Sequence, residues 1–274
     1  MAIRSVVIHS DSGTGDTLYA KAAGLVETIS PGTDAVDASQ AFEKGNVRQV
    51  SSYLYTSVPF WPDGTVFVSL VGDGDPVAVK LPSGSIILSP NNGTATMCVE
   101  SFGMDEAVIV DPDAFGNDGF VLVRCAAELA AGRAFDTIGR TAEPGETVFY
   151  SLPAAHVEEG LAEGEVAMLL RTFGNLTFSI ATDDFEKTGI KTGDPVRVTF
   201  TRSGHVEYRE DMTFQPSFGY VPVGAPVVFN GSSGYMDIGL NMKSFIDTCL
   251  PQILDADDPG EFKVMIEKIG ERKT

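Results

Sequence analysis

The feature that most constrains the fold is a change in hydrophobic periodicity near Glu165. Before this point, short apolar runs alternate with segments of helical spacing, as where Ser5–Ile8 precedes the helical pattern Leu18–Ile29. After it, short alternating runs such as Val196–Thr201 are separated by Gly, Pro and Asp turns. The chain therefore combines an α/β region with a later region of antiparallel strands.

We expect two domains: an α/β N-terminal domain with a mixed central sheet over residues 1–159, and a smaller antiparallel β-barrel domain over residues 160–274. The 29 glycines and 15 prolines suit many short strands and turns and argue against an all-helical fold. The polar, glycine-bearing segment Glu158–Gly164 is favoured as the linker, and a helix is predicted over Pro153–Gly160.

Charge and cysteine content exclude several classes of protein. The formal net charge of −19 opposes binding to phosphate backbones, so nucleic acid is not expected as a partner. The three cysteines show no CxxC spacing, so neither a disulfide framework nor a metal site is predicted. The short N-terminal apolar run breaks at His9, which predicts neither a signal peptide nor a membrane span and favours the cytoplasm.

A glycine turn with two carboxylates follows the first predicted strand and opens the first predicted helix. Its sequence, Asp11-Ser-Gly-Thr-Gly-Asp16, matches neither GxGxxG nor GxxxxGK[ST], and two acids would repel phosphate. A carboxylate can instead hold a ribose diol through charge-assisted hydrogen bonds, and Asp11 is the candidate for that role. The alternative is that Asp16 caps the helix and Asp11 stabilises the turn.

Ordered motifs extend this observation along the N-terminal half. The turn with Gly24-Leu25 resembles TDFGxxD…KGL, Val36-Asp37 resembles the end of a second strand, Phe60–Phe67 resembles FFPxGTV, and Ser89–Gly93 resembles (A/S)P(D/N)NG. All four patterns belong to the S-adenosylmethionine hydroxide adenosyltransferase and halogenase family, which this chain therefore resembles.

The resemblance continues in the C-terminal half. Phe173-Gly-Asn175 is similar to the family's FGNxxTNI, and the run from Gly231 to Ile238 with Asn241 is similar to SSGYLEIAxN. Phe218 stands where the family has an aromatic residue that stacks on adenine. The resemblance spans nearly the whole chain.

The resemblance implies an adenosyl ligand bound in a homotrimer, between the N-terminal domain of one subunit and the C-terminal domain of the next. It implies that Asp11 holds the ribose, and that Tyr150 and Ser151, within Phe149-Tyr-Ser151, bind the attacking water or halide. No metal or cofactor beyond S-adenosylmethionine as substrate is expected. The resemblance implies adenine contacts by Phe173, Asn175 and Phe218, and contacts to the amino-acid end of the substrate by Asp16, Ser232 and Ser233. Phe149 and Asn241 are further implied substrate contacts.

Departures from the family pattern concern the reacting groups. Gly72 stands where hydrolytic members have an Asp, no matching Arg follows, and Phe149-Tyr-Ser151 replaces the segment with the catalytic His. Asp73 and Asp75 lie one residue from the missing carboxylate, but a sharp surface turn accounts for them. Leu170-Arg171 replaces the Asp that would bind the ammonium of methionine.

These features leave three hypotheses open. The first is hydrolysis of S-adenosylmethionine, or a related 5′-substituted adenosine, by substitution at C5′. The second is a halide-using adenosyltransferase, favoured by Phe149-Tyr-Ser151, which resembles the fluorinating branch. The third is a non-catalytic adenosyl binder that keeps the ribose and adenine contacts and has lost the reacting groups.

Overall fold

The computed structural model describes residues 3, 5–13, 16–39, 42–116, 119–151, 153–256 and 258–270. The chain forms two compact units, Met1–Tyr150 and Ser151–Thr274. The division falls between residues 150 and 151. The domain boundary expected between residues 159 and 160 stays a prediction. Among the described residues, no helix has the length and apolarity needed to span a membrane.

The N-terminal unit is an α/β domain built on one mixed sheet. The sheet order is β2-β1-β3-β5-β4-β6-β7; the first three pairings along this order are parallel and the last three antiparallel. The described elements, in chain order, are β1 (Ser5–Ser10), α1 (Leu18–Ile29), β2 (Asp34–Asp37), α2 (Val47–Ser57), β3 (Val66–Leu70), β4 (Pro76–Lys80), β5 (Ile86–Pro90), α3 (Thr96–Phe102), β6 (Glu106–Val110), α4 (Val121–Ala130) and β7 (Gly139–Thr141).

Apolar side chains fill both faces of this sheet, as expected for strands covered on two sides. Val6 and Ile8 of β1 pack into the core cluster that contains residues of α1 and α4. Val7, which points to the opposite face, packs into the cluster that contains residues of α2 and α3. The segment Thr96–Val99 lies in helix α3.

The C-terminal unit is a closed β-barrel, so the expected fold class is confirmed. Seven strands follow the order β10-β14-β13-β12-β11-β15-β9, a pairing of β9 with β10 closes the ring, and β8 adds to β9 outside it. All barrel pairings are antiparallel except that of β12 with β13. The described elements are β8 (His156–Glu158), β9 (Leu161–Leu170), β10 (Asn175–Ala181), α5 (Thr182–Glu186), β11 (Pro195–Arg202), β12 (His205–Phe214), β13 (Pro226–Asn230), β14 (Tyr235–Leu240), α6 (Phe245–Cys249) and β15 (Phe262–Lys268).

Two local predictions at the start of this unit are wrong. The segment Glu158–Gly164 is not a linker, because it contains the hairpin between β8 and β9, where Val157 pairs with Ala162. For the same reason Pro153–Gly160 is not a helix. Gly160 takes the positive φ of 77° that this turn requires, and Val157 packs against the barrel core.

Candidate functional site

The turns after the parallel strands of the N-terminal sheet gather at one edge. Asp11 follows β1, Gly72 follows β3, and Asn92 follows β5. Carboxyl ends of neighbouring parallel strands meet at the same edge of a sheet, where open α/β folds bind their ligands. Residues 14 and 15 of the first turn lie outside the described residues.

The two carboxylates of the first turn have different partners. Asp11 Oδ2 accepts a hydrogen bond of 2.7 Å from the backbone N–H of Gly45, which precedes α2. Asp16 Oδ1 accepts one of 3.0 Å from the backbone N–H of Leu18, the first residue of α1. Asp16 therefore precedes the N-cap residue Thr17 and satisfies the first N–H of α1 in a turn-type bond, whereas Asp11 connects the first turn to the loop before α2.

Paired asparagines after β5 hold the segment that ends at Tyr150. Asn91 Nδ2 donates to the carbonyl of Glu146 at 2.7 Å, and Asn91 Oδ1 accepts from the N–H of Val148 at 2.8 Å. The N–H of Tyr150 donates to Thr96 Oγ1 at 3.2 Å. The Pro-Asn-Asn-Gly motif thus positions the Phe-Tyr segment along the same edge.

Tyr150 lies beneath a guanidinium that the sequence patterns do not single out. The Arg48 guanidinium carbon is 5.4 Å from the centre of the Tyr150 ring, within cation–π distance. Arg48 Nη1 is buried and has no hydrogen-bond partner in the described part of the chain. A cation therefore flanks the aromatic group predicted to contact the nucleophile. Phe149 and Ser151 are both exposed.

A side chain at Gly72, where hydrolytic members of the family have an aspartate, would require the Asn92 amide to move. Gly72 has a φ of 73°, and a Cβ built on it would lie 2.8 Å from Asn92 Nδ2. Asn92 Nδ2 itself donates to the carbonyl of Val71 at 3.1 Å. Asp73 and Asp75 are exposed in the following turn, in agreement with the turn interpretation.

His9, near the end of β1, is buried at 2% exposure between the rings of Phe42 and Phe67. Burial lowers the pKa of His9 to about 4, against the opposing effects of its hydrogen bond to the Val68 backbone and of the Asp37 charge. The imidazole is consequently neutral at pH 7.

In the C-terminal unit, the three residues predicted to contact adenine line one cavity of about 540 Å³. Phe173 is 64% exposed and Phe218 is 41% exposed, which is unusual for phenylalanine. Asn175, by contrast, is buried. Arg171 and Lys243 also line this cavity. Two aromatic faces beside an amide can stack on a purine and pair with its edge.

Two glycines, Gly174 and Gly239, leave the space that the Asn175 side chain occupies. A Cβ on Gly239 would lie 2.3 Å from Asn175 Oδ1, so the amide occupies the space that a side chain would fill. Gly174, with a φ of 70°, lies against the backbone of Ser244, and its carbonyl accepts from the N–H groups of Phe245 and Ile246. The Phe-Gly-Asn loop is thereby fixed on the start of α6.

Asn241 supports the loop that carries Phe218. The side-chain Nδ2 of Asn241 donates to the backbone carbonyl of Val221 at 2.7 Å, and the backbone carbonyl of Asn241 accepts from the N–H of Gly224 at 2.8 Å. Phe218 itself packs edge-on against Phe229, with ring centres 5.9 Å apart. A substrate contact by Asn241 stays a prediction, and these bonds assign it a positioning role.

Two residues predicted to contact the amino-acid end of the substrate lie in the turn between β13 and β14. Ser232 is exposed, whereas Ser233 is buried and its Oγ has no hydrogen-bond partner among the described residues. Asp237 of β14 is 4% exposed, and its Oδ1 likewise lacks a partner there. Burial raises the pKa of Asp237 to about 7, and the nearby Thr177 hydroxyl opposes this rise without making a hydrogen bond of good geometry.

Arg48 and Asp237 are the residues that motif reasoning missed. Arg48 is near the start of an amphipathic helix, where the sequence indicates a solvated side chain, and Asp237 alternates with the apolar Met236 and Ile238 as an outward strand residue would. Only the tertiary structure shows that Nη1 of the half-buried Arg48 and the side chain of Asp237 are shielded from solvent. Among the described residues, no cluster of His, Cys, Asp and Glu is arranged to hold a metal ion.

Comparison with known sequences matches both halves of the chain. Residues 6–139 match the SAM hydroxide adenosyltransferase N-terminal domain, and residues 164–250 match the SAM hydroxide adenosyltransferase C-terminal domain. A fluorinase of Actinopolyspora mzabensis is 27% identical over 278 residues, covering 87% of this chain and 91% of the relative. A (R)-S-adenosyl-L-methionine hydrolase of Thermus thermophilus is 27% identical over 263 residues, covering 88% and 94%.

Solved structures agree on the fold. An uncharacterized conserved protein from Thermotoga maritima superimposes with a TM-score of 0.77 at 24% identity, covering 96% of this chain and 100% of that one. A conserved hypothetical protein from Thermus thermophilus gives a TM-score of 0.72 at the same identity and coverage. These similarities show the fold alone.

Proposed function

Since the chain belongs to the SAM hydroxide adenosyltransferase family, we propose that it binds S-adenosylmethionine, or a related 5′-substituted adenosine, and hydrolyses it by substitution at C5′. The observation that carries the proposal is the single cavity that gathers Phe173, Asn175 and Phe218. Three residues separated in sequence and suited to a purine converge there.

The reaction that we propose needs no redox step. A water oxygen attacks C5′, the C5′–S bond breaks, its electron pair returns to sulfur, and a proton is released. The products are adenosine and methionine. The protein contributes alignment of the water with C5′ and exclusion of bulk solvent, which require no metal.

We assign the roles as follows. Asp11 accepts hydrogen bonds from the ribose diol, because its carboxylate lies at the ligand edge of the sheet. Tyr150 and Ser151 contact the attacking water, with Phe149 beside the substrate. Asp16, Ser232 and Ser233 act at the amino-acid end. A homotrimer with intersubunit sites and a cytoplasmic location remain part of the proposal.

A halide-using adenosyltransferase is the second candidate. Phe149-Tyr-Ser151 favours it, as does the similarity to fluorinases. Arg48 adds a specific observation, because a buried guanidinium nitrogen beside Tyr150 would attract an anion. The third candidate, a non-catalytic adenosyl binder, is favoured by Gly72, which lacks the carboxylate of hydrolytic members and lies against the Asn92 amide.

Incubation with S-adenosylmethionine separates the three. Purified protein is incubated without halide, with chloride and with fluoride, and the products are resolved by chromatography. Adenosine and methionine in all conditions support hydrolysis, and a 5′-halo-5′-deoxyadenosine supports the halide reaction. Intact ligand together with a raised melting temperature identifies a binder.

Variants test whether product formation depends on the assigned site. Asp11→Asn removes the carboxylate charge at the ribose, and we expect affinity to fall by about tenfold to a hundredfold, as for other hydrogen bonds to charged groups. Asp63→Asn, an exposed aspartate of the same domain, is the matched control. Equal effects of the two changes would contradict the role of Asp11.

A further inference from the structure

A second cavity of the C-terminal unit lies on the outer face of the barrel. It measures about 450 Å³, and strands β8, β9, β10, β11 and β15 contribute to its lining. The described residues that line it are all different from those that line the cavity at Phe173. The proposed reaction makes no use of this cavity.

Strand register places a carboxylate, an amine and a hydroxyl in one row on the cavity floor. Lys263 of β15 lies opposite Glu165 of β9 on one side and opposite Thr201 of β11 on the other. Val264, the next residue of β15, packs into the barrel core, so Lys263 faces outward. The amine and the hydroxyl of this row can donate hydrogen bonds to an anionic group.

Two acceptors hold the Lys263 ammonium at the cavity. Its Nζ pairs with the carboxylate of Glu165, whose side chain is only 9% exposed, and donates at 2.9 Å to the carbonyl of Gly260. Because a buried carboxylate is costly to leave unpaired, this arrangement fixes the amine. The Lys263 side chain is itself 60% exposed, so a ligand can reach it. An ammonium carries three protons, and these two bonds leave one of them for a ligand.

The second row on the cavity floor carries the opposite charge. Met265, two residues after Lys263, lies between Glu163 of β9 and Thr199 of β11. Glu163 lines the cavity and is exposed. Glu163 and Lys263 are diagonal neighbours on adjacent strands, a relation in which Cα atoms are about 7–8 Å apart. An exposed anion and an exposed cation therefore border the same small space.

Apolar side chains complete the lining. Pro153 and Ala154, from the segment before β8, contribute to it together with Met265, and we call these three residues the apolar wall. Ala155, the next residue of the segment, packs against the barrel core and so attaches the segment to the barrel. A ligand group of a few carbons would lose its hydration against the apolar wall, which favours binding.

We propose that this cavity binds a free α-amino acid with an apolar side chain. The ligand carboxylate accepts hydrogen bonds from Lys263 and Thr201, its ammonium donates to Glu163, and its side chain packs against the apolar wall. The protein's net charge of −19 opposes a purely anionic ligand, and a purely cationic ligand would leave the Lys263 ammonium without its acceptor. A zwitterion satisfies both charges. The inference is independent of the proposed reaction.

Methyl NMR of the full-length protein with L-leucine tests the site. The methyl groups of Met265 and Ala154 report from the cavity, and that of Met212, in the barrel core, is the reference. L-leucine should shift the first two signals in a saturable way and leave the third unchanged. The analogue 4-methylpentanoate lacks the amine and 3-methylbutylamine lacks the carboxylate, so each should bind at least about tenfold more weakly.

Two variants remove one polar contact each without changing a core residue. Glu163→Gln should weaken L-leucine by about threefold to tenfold and change 4-methylpentanoate by less than about twofold, because only leucine has the ammonium. Thr201→Val should weaken L-leucine and 4-methylpentanoate alike and leave 3-methylbutylamine unchanged. Glu186→Gln, an exposed glutamate of α5, is the matched control.

Three results would each overturn the proposal. The first is the absence of saturable shifts at Met265 and Ala154. The second is an equal response of L-leucine to Glu163→Gln and Glu186→Gln. The third is equal affinity for L-leucine and 4-methylpentanoate, which would show that the ammonium makes no contact. Loss of adenosyl binding or turnover would bear on the proposed function alone.

Discussion

The ring of Tyr150 packs directly on Gly93. A Cβ at Gly93 would lie 3.0 Å from Tyr150 Cδ1 and 3.5 Å from Thr96 Oγ1, and Gly93 has a φ of 100°. The turn after β5 thus sets the position of Tyr150, which we propose to contact the attacking water. A side chain at Gly93 would displace the Tyr150 ring by a few tenths of an ångström.

Gly93→Ala should therefore lower turnover of S-adenosylmethionine by at least about tenfold, because displacement of a positioned group by a fraction of an ångström is costly to catalysis. Gly132→Ala is the matched control, since Gly132 has a φ of 102° with no atom within 4 Å of the added Cβ. Both changes strain the backbone, and only the first moves Tyr150. Equal loss of turnover, measured at equal folded fraction, would contradict the prediction.

Gly239→Ala should weaken adenosine binding by about tenfold or more. The added methyl group occupies the place of the Asn175 amide, which must turn away from the cavity. Gly164→Ala, where the Cβ meets Ile180 and Ser179 in the same barrel, provides the control for overpacking alone. Calorimetric titration with adenosine measures the affinity of both variants. Unchanged affinity in Gly239→Ala would argue against an adenine contact by Asn175.

Arg48→Met should reduce turnover by about tenfold to a hundredfold, and Arg48→Lys by less, because lysine keeps the charge but loses the planar stacking on Tyr150. Arg133, stacked at 4.6 Å on Phe115 in the same unit, supplies the control variant Arg133→Met. That change should lower the melting temperature with turnover retained. Full activity in Arg48→Met would exclude a role for this cation.

Asp237 should make the protein less stable as pH rises. Its folded pKa of about 7 exceeds the ordinary value of 3.8, so the native state holds more protons between these values and loses stability through this window. The cost approaches roughly 4 kcal/mol above pH 7. Asp237→Asn removes this ionisation cost. The melting temperature of the variant relative to that of the wild type should therefore increase from pH 4 to pH 8. A constant difference would show that the carboxylate is paired.

His9 should have the opposite effect at acidic pH. Its folded pKa of about 4 lies below the ordinary 6.5, so the unfolded state binds more protons between these values, and stability is lost as pH falls from 6.5 to 4. The loss is at most roughly 3 kcal/mol. His9→Gln should flatten this part of the stability curve in denaturant titrations. The exposed His205→Gln should leave it unchanged; similar curves for His9→Gln and the wild type would contradict the prediction.

Local patterns in the sequence were sufficient to predict most elements. The helical spacing of Leu18–Ile29 predicts α1 to the residue, and the apolar alternation of Val196–Thr201 predicts β11 to within one residue at each end. Strands β6, β7, β14 and β15 were missed. The hairpin at Val157 was misread because a polar, glycine-bearing segment is compatible with a linker and with a tight turn alike.

The sequence by itself determined the fold class and the order of the motifs, because hydrophobic periodicity and motif spacing are local properties of the chain. The resemblance of those motifs to the family supplied the adenine-binding candidates. Only the tertiary structure brought Arg48 onto Tyr150 and left Oδ1 of the buried Asp237 without a hydrogen-bond partner among the described residues. Contacts between side chains that are distant in sequence depend on strand register and on how helices pack across a sheet. A shift of one residue in register would turn Asp237 to the opposite face of β14, so no local pattern can specify its surroundings.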